Sequence, residues 1–208
     1  MKNLKYLAIA AALAVTPAGA QTVHKIDKAK AQVIVSRDAE GFKDCGIRFI
    51  FAENTSERMD IYDMQMSVIT EGAATGLITG SRSRTSTADL INLKGAPQPT
   101  PGPSPERFWI AKSTDAKPLV PREIIPDSEG RGFLIAFAQI DATVRQIFNV
   151  AEGYAMQVML QYPGQPERVM ELTAPLARGD LETLNACLDD LTKRGSIPNS
   201  QRNKPASR

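Results

Sequence analysis

The chain has 208 residues, with 25 basic and 23 acidic side chains, two cysteines and one histidine. This length suits one domain that can bury a core without metals or many disulfides. A single histidine argues against Ser-His-Asp and Cys-His catalysis and against the usual zinc sites, which need positioned imidazoles or several His and Cys ligands.

The first twenty residues have the three parts of a secretory signal peptide. Lys2 and Lys5 supply positive charge, residues 6–15 are apolar, and residues 18–20 form a small-residue cleavage motif. The apolar run of about ten residues is half of what a bilayer span requires, so cleavage is favoured over a membrane anchor. We therefore expect a periplasmic or secreted protein that begins at Gln21 and has no transmembrane segment after cleavage.

Charge is unevenly distributed along the chain that remains after cleavage. Loss of Lys2 and Lys5 leaves equal numbers of basic and acidic residues, and five of the basic residues lie in residues 193–208, which contain no acid. The body is therefore mildly acidic, which argues against a nucleic-acid-binding surface. The basic tail, residues 193–208, is predicted to be disordered. It could contact anionic envelope components, although a solvated terminus is the simpler interpretation.

Alternating and β-branched residues predict antiparallel strands through the first half of the body. The segment before them, residues 23–30, is polar and is interpreted as a helical turn or a frayed start. A charged loop over residues 37–44 and a turn over residues 53–58 are predicted to separate the strands. The predicted strands are residues 31–36, 46–52 and 59–70, of which the second is the most apolar.

The middle of the chain is less regular. A weak strand is predicted over residues 72–80 and a polar edge or loop over residues 81–87. Proline occupies every second position from Pro97 to Pro105, which removes amide donors. An extended, solvated, Pro-rich loop over residues 95–106 is therefore predicted, and it should contribute little to stability. Two strands follow, at residues 107–111 and 133–138, with a second irregular stretch between them.

A helix and a hairpin are predicted next. Asp141 could cap a helix that ends at Gly153 and carries apolar residues at helical spacing, although the same residues could also alternate as a strand. Residues 154–162 and 167–173 alternate around a Pro-Gly-Gln-Pro turn, which is typical of a hairpin.

The C-terminal helix is expected to anchor the fold through a disulfide bond. Asp180 is a favourable N-cap, and a leucine stripe continues to Leu191 with Cys187 on the same face. Cys45, the other cysteine, directly precedes the strand at 46–52. In an exported protein this count favours an internal Cys45–Cys187 bond, with Cα atoms about 4.4–6.8 Å apart. Two free buried thiols or an intermolecular bond are the alternatives.

Carboxylate pairs are the only candidate catalytic groups that the sequence offers. His24 lies close to the expected mature N-terminus, on what should be a mobile end, so neither a His-based catalytic site nor a metal site is expected. The sequence contains no phosphate-binding glycine motif and no Cys-x-x-Cys. A glycosidase-type mechanism needs two carboxyls across a cleft. Asp60 with Asp63, and Asp189 with Asp190, are the closest pairs, and both are interpreted as solvated surface.

Two further features could contact partners. Residues 118–121 match the PxxP pattern of peptides that bind in polyproline conformation, a pattern that is common by chance. Phe108 and Trp109 follow the Pro-rich loop and could line a groove, although core packing is the simpler interpretation.

The sequence predicts an α+β fold, mainly antiparallel β-sheet in a sandwich-like arrangement, with the C-terminal helix packed on it. After the signal peptide, the chain is predicted to consist of one domain over residues 21–192 and the basic tail. The expected function is an exported, non-enzymatic binding or envelope-assembly module without a cofactor, whose partner is an unknown protein or envelope component. The alternative is a carboxylate-based envelope hydrolase. No ligand-binding residue can be assigned from the sequence alone.

Overall fold

The computed structural model of this protein describes residues 22–39, 41–70, 75–86, 100–114, 117–126 and 133–194. Strands dominate, two helices accompany them, and the C-terminal helix packs on a sheet. The prediction of an α+β fold that is mainly antiparallel β-sheet and sandwich-like is therefore confirmed. The predicted signal peptide, the prolines at 97 and 99, and the tail beyond Arg194 lie outside the described residues.

The strands form two sheets. In chain order they are β1 (Val23–Ile26), β2 (Ala29–Asp38), β3 (Gly41–Asn54), β4 (Arg58–Ile69), β5 (Thr75–Ser86), β6 (Thr100–Pro101), β7 (Arg107–Lys112), β8 (Glu123–Pro126), β9 (Phe133–Ala138), β10 (Met156–Gln161) and β11 (Arg168–Leu172). The larger sheet has the order β2-β3-β4-β5-β9-β8, and β6 also pairs with β5. The smaller sheet has the order β1-β11-β10-β7. All pairs are antiparallel except β1 with β11, which is parallel.

Three predictions about the N-terminal half are wrong. Residues 23–30 contain strand β1, which pairs with the distant β11, rather than a helical turn. Residues 37–44 are not a charged loop, because β2 continues to Asp38 and β3 begins at Gly41. Gly41 has φ of +134°, a conformation that residues with a side chain rarely adopt, and this allows the tight reversal. Residues 75–86 form one interior strand, β5, instead of a weak strand followed by an edge or loop.

The prediction of a solvated Pro-rich loop is also wrong where the structure describes it. Thr100 and Pro101 pair with β5, and the Gly102 amide donates a hydrogen bond to the Arg82 carbonyl at 2.8 Å. Ser104 Oγ donates to the Phe133 carbonyl, also at 2.8 Å. Pro105 is buried. Proline lacks an amide donor, but the residues between the prolines still donate hydrogen bonds, and the segment packs on the body.

The helix and hairpin predicted before the C-terminal helix are present. Helix α1 spans Ile140–Ala151, so the strand alternative for this segment is wrong. Its N-cap is Gln139, with Asp141 in the first turn, and Gly153 follows its end with φ of +77°. The next two strands, β10 and β11, form the predicted hairpin.

Helix α2 spans Arg178–Lys193 and contacts strands β2 and β3. It begins after Ala177, earlier than the predicted cap at Asp180. The predicted apolar face is present, since Leu184, Cys187, Leu188 and Leu191 are buried, and α2 packs on β2 and β3. The Cα atoms of Cys45 and Cys187 are 5.9 Å apart, and the two cysteines lie at disulfide distance.

The core lies between the sheets and beneath the helices. In β4 the even-numbered residues from Tyr62 to Val68 are buried, as the alternation of this segment predicted. Facing residues of β10 and β11, such as Val158 and Met170, belong to the same core cluster. At one end of this shared interior the apolar residues give way to charged ones, and the cleft described below lies there.

Candidate functional site

The inner face of the larger sheet changes from apolar to charged towards the ends of β3, β4 and β5. The strand register places Phe51 opposite Tyr62, and Tyr62 opposite Arg82. One step further along the face, Glu53 lies opposite Asp60, and Asp60 opposite Arg84. Cross-strand neighbours share a face, so the apolar Phe51–Tyr62 stack, with ring centroids 4.8 Å apart, is continued by carboxylates and guanidiniums.

Asp60 is the shared partner of three arginines. Its carboxylate accepts hydrogen bonds from Arg82 Nη2 at 2.6 Å and from Arg84 Nε at 2.8 Å, and Arg58 Nε lies 3.8 Å away. Burial alone would raise the pKa of the Asp60 carboxyl, but the hydrogen bonds from Arg84 and Arg82 outweigh it and hold that pKa below the ordinary value. Asp60 is therefore a carboxylate at neutral pH.

Arg82 is the most deeply buried of the three arginines, with 4% of its surface exposed. Its guanidinium carbon lies 4.4 Å from the centre of the Tyr162 ring, a cation–π contact that partly offsets the cost of burying the charge. Burial alone would lower the pKa of Arg82, but the hydrogen bond to Asp60 and nearby groups raise it, so the charge is retained. Nε and Nη1 of Arg82 have no hydrogen-bond acceptor among the described residues.

The two tyrosines beside Arg82 remain protonated. Burial raises the pKa of Tyr62 and, more strongly, that of Tyr162. The Tyr62 hydroxyl is buried and has no hydrogen-bond partner within the described part of the chain. A neutral phenol can donate a hydrogen bond. Among the described residues of this region, Glu53 Oε2 is a buried acceptor without a partner, and it is outnumbered by the unpartnered donor nitrogens of Arg82 and Arg168.

The smaller sheet contributes Arg168 and His24 to the charged end of the interior, next to Glu53. Arg168, at the start of β11, pairs through Nη2 with Glu53 Oε1 of the larger sheet. His24 on β1 places Nδ1 3.5 Å from the same oxygen. His24 was expected on a mobile end, but it lies opposite Met170 in the β1–β11 pair and is held in a sheet. The Glu53–Arg168 pair therefore joins the two sheets at their charged end.

These groups border an open cleft of about 270 Å³. Its walls come from β1, β5 and the β10–β11 turn, and its lining residues are His24, Arg82, Tyr162, Gln165, Pro166, Glu167 and Arg168. We call this the arginine cleft. Glu167 is the one carboxylate among its described lining residues, and Arg107 Nη1 lies 3.4 Å from that carboxylate.

An apolar recess adjoins the arginine cleft and shares Arg82 and Tyr162 with it. The remaining lining includes Met64, Leu134 and Leu160. Its volume is about 10 Å³, which is room for about one water molecule. The recess is therefore packed core, and the space available to a ligand lies in the polar cleft.

Of the predicted carboxylate pairs, Asp60 and Asp63 are not brought together, because they lie on opposite faces of β4. Asp60 faces the interior and is 3% exposed, so its interpretation as solvated surface is wrong. Asp63 lies on the opposite face of β4, where it accepts a hydrogen bond from Arg48 Nε at 2.8 Å. Asp190 accepts a hydrogen bond from the Phe42 amide at 3.0 Å and one from Arg194, so it joins α2 to the start of β3 and is more than surface charge.

The aromatic pair at the start of β7 does not form a groove with the cleft. Phe108 is buried in the core, as its simpler interpretation held, and Trp109 is half-buried. Leu119, within the PxxP match, is buried and bridges Ile110 of β7. Part of the PxxP segment therefore packs on strand β7.

A second open cavity, of about 360 Å³, lies at the N-terminal end of α1. Its charged lining residues, Arg122 and Asp141, are both exposed and have opposite signs. It holds no buried polar atom without a partner among the described residues. The arginine cleft is for this reason the stronger candidate site.

Neither the described residues nor similarity to known proteins assigns a function to the arginine cleft. Within the described ranges no helix is both long and apolar enough to cross a membrane, and no group of three His, Cys, Asp or Glu residues could hold a metal ion. No protein-family model, curated protein or solved structure matches this chain. The site must therefore be interpreted from its own chemistry.

Proposed function

We propose that the protein is an exported, non-enzymatic binding module, periplasmic or secreted, and that the arginine cleft is its ligand site. The observation that carries this proposal is the buried Arg82 in the lining of the cleft, with two donor nitrogens that have no acceptor among the described residues. Burying a charge with incomplete hydrogen bonding is costly. Such an arrangement is typical of a site that a ligand completes.

The carboxylates in and around the cleft favour binding over hydrolysis. A glycosidase-type mechanism needs one protonated carboxylic acid and a second carboxylate across a cleft. The lowered pKa of Asp60 makes it a poor proton donor, and its oxygens are occupied by arginines. Glu53 is likewise paired, with Arg168. No described feature favours the hydrolase alternative.

Cleft-dependent capture from an envelope extract tests the proposal. Protein lacking residues 1–20 would be immobilised beside two variants, and the bound small molecules and proteins would be identified by mass spectrometry. Gln165→Trp should obstruct the cleft, because Gln165 lies in its turn wall with an exposed side chain. Glu182→Trp, on the exposed face of α2, is the matched control.

Material retained by the wild type and by Glu182→Trp but lost from Gln165→Trp would support the proposed function. Identical retention by all three proteins, or no specific retention, would contradict it. Circular dichroism of each variant would establish that the fold is unchanged before the comparison is made.

A further inference from the structure

The arginine cleft carries an excess of positive charge within an acidic body. Among the described residues, the charged side chains in and beside the cleft are five arginines and three carboxylates, a net charge of +2 when His24 is not counted. The arginines are Arg58, Arg82, Arg84, Arg107 and Arg168, and the carboxylates are Glu53, Asp60 and Glu167. Residues 21–192 as a whole carry more acidic than basic residues, so the positive charge is concentrated here.

The donors that lack an acceptor are of the kind that bind oxyanions. They are Nε and Nη1 of Arg82 and Nε of Arg168, which are buried and without an acceptor among the described residues. Guanidinium groups bind phosphate and related oxyanions through two parallel hydrogen bonds. A phosphate monoester dianion, like the sulfate ion, offers acceptors only, and its charge of −2 would match the net charge of the cluster.

From this we propose that the arginine cleft recognises a tetrahedral dianion, the phosphate group of a small polar monoester. This inference rests on the proposed function, because it names the ligand class of the same cleft. The volume of about 270 Å³ accommodates such a group with a remainder about the size of a monosaccharide. The adjoining recess of about 10 Å³ leaves no room for an acyl chain.

Substituting Glu167 should change the affinity for anions in the opposite direction to substituting Arg168. Within the described lining Glu167 is the one carboxylate, so it should repel a dianion even though Arg107 lies beside it. Glu167→Gln should therefore strengthen anion binding by a few fold. Arg168→Gln should weaken it by about tenfold or more, since a hydrogen bond to a charged group is lost.

His24 allows binding to be observed directly. It is the only histidine in the chain and lies in the cleft wall, so its imidazole NMR signals are unambiguous in untagged protein. Protein lacking residues 1–20 would be titrated at pH 7.5 with inorganic phosphate, sulfate, glucose 6-phosphate or acetate, with ionic strength held constant by NaCl. Calorimetry would supply the dissociation constants for wild type, Arg168→Gln, Arg168→Lys, Glu167→Gln and the exposed control Arg178→Gln.

The proposal expects saturable shifts of the His24 signals with phosphate or sulfate and at least tenfold weaker binding of acetate. Tighter binding of glucose 6-phosphate than of inorganic phosphate would assign the dianion to an ester, and the reverse order would assign it to the free ion. The Arg178→Gln variant should bind within about twofold of wild type. Should Arg168→Gln fail to fold, Arg168→Lys tests the same contact, because it keeps the charge but loses the planar fork.

No saturable shift with any dianion, equal binding of acetate, or unchanged binding by both Arg168 variants would overturn this inference. If the anions do not bind but cleft-dependent capture is still observed, the ligand is neutral or cationic, and the proposed function survives without this ligand class. If both experiments fail, the cleft is not a ligand site.

Discussion

Replacement of Asp60 by Asn should destabilise the protein strongly, because it removes the counter-charge that three arginines share. Arg82 is 4% exposed and would be left with a buried, uncompensated charge. Breaking a buried ion pair in this way typically costs about 3–5 kcal/mol. That is a large part of the roughly 5–15 kcal/mol by which most domains are stable.

The control for this substitution is Asp63→Asn on the same strand. Asp63 pairs with Arg48 on the outer face of β4, where the two side chains are 34% and 39% exposed. Exposed pairs contribute about 0–1 kcal/mol. The two variants make the same chemical change on opposite faces of β4, so the difference between them measures the effect of burial.

The pH dependence of the Asp60→Asn effect gives a second readout. The folded pKa of Asp60 lies below its ordinary value of 3.8, because the arginine hydrogen bonds outweigh the effect of burial. A carboxylate with a lowered folded pKa stabilises the fold fully above its unfolded pKa, about 3.9, and this contribution is lost as pH falls through the folded pKa. The difference between wild type and Asp60→Asn should therefore shrink below about pH 4.

Urea unfolding followed by circular dichroism, at pH 7 and at pH 3, would measure both effects. The slope of the unfolding free energy against urea should stay constant, so that a lower midpoint reports a loss of stability. A cost below about 1 kcal/mol for Asp60→Asn, or a cost equal to that of Asp63→Asn, would refute the reasoning about buried charge.

Three further predictions concern the ends and edges of the fold. The signal-peptide interpretation predicts that exported protein lacks residues 1–20, and a full-length intact mass in the soluble exported fraction would contradict it. Replacing residues 100–105 with an all-glycine segment of equal length should cost about 2–3 kcal/mol through the lost Ser104 hydrogen bond, the lost packing of Pro105 and a looser unfolded chain, whereas an unchanged urea midpoint would show that this packing is weak. Asp44→Asn should stabilise the fold at pH 7, because burial raises the pKa of Asp44. That carboxyl lowers stability as pH rises from about 4 through its raised pKa, so a pH-independent difference would argue against this cause.

The parts of the fold that sequence predicted are those with a local signal. The alternation in β4, the leucine stripe of α2 and the Pro-Gly turn of the β10–β11 hairpin each report which face is buried from neighbouring residues alone. Strand β1 has no such signal. It is short and polar, and it is held by parallel pairing with β11, which lies far away in the sequence.

The arginine cleft was missed because polarity was interpreted as exposure. The polarity of residues 81–87 predicts an edge or loop, although Arg82 and Arg84 continue the inner face of β5 that begins with Ile78. Asp60 likewise has the same parity as the buried Tyr62. That parity was visible in the sequence and placed Asp60 inside. The arginines that compensate its charge come from other strands, so the sequence alone did not show how a buried carboxylate could be tolerated there.

The Cys45–Cys187 pair and the arginine cleft lie towards opposite ends of β3, which predicts that a bond between these cysteines and the charged cluster stabilise the fold independently. Cys45 and Glu53 are separated by about 26 Å at roughly 3.3 Å per residue. The double variant Cys45→Ala/Cys187→Ala should lose about 2–5 kcal/mol, since the bond would close most of the chain into one loop. Its effect should add to that of Asp60→Asn within about 0.5 kcal/mol, measured in sucrose so that the combined variant remains folded. The affinity of the Cys45→Ala/Cys187→Ala variant for phosphate should match that of the wild type. A coupling above about 1 kcal/mol, or a weakened anion site, would show instead that the two ends respond as one unit, and two titratable thiols in native exported protein would show that the bond had not formed.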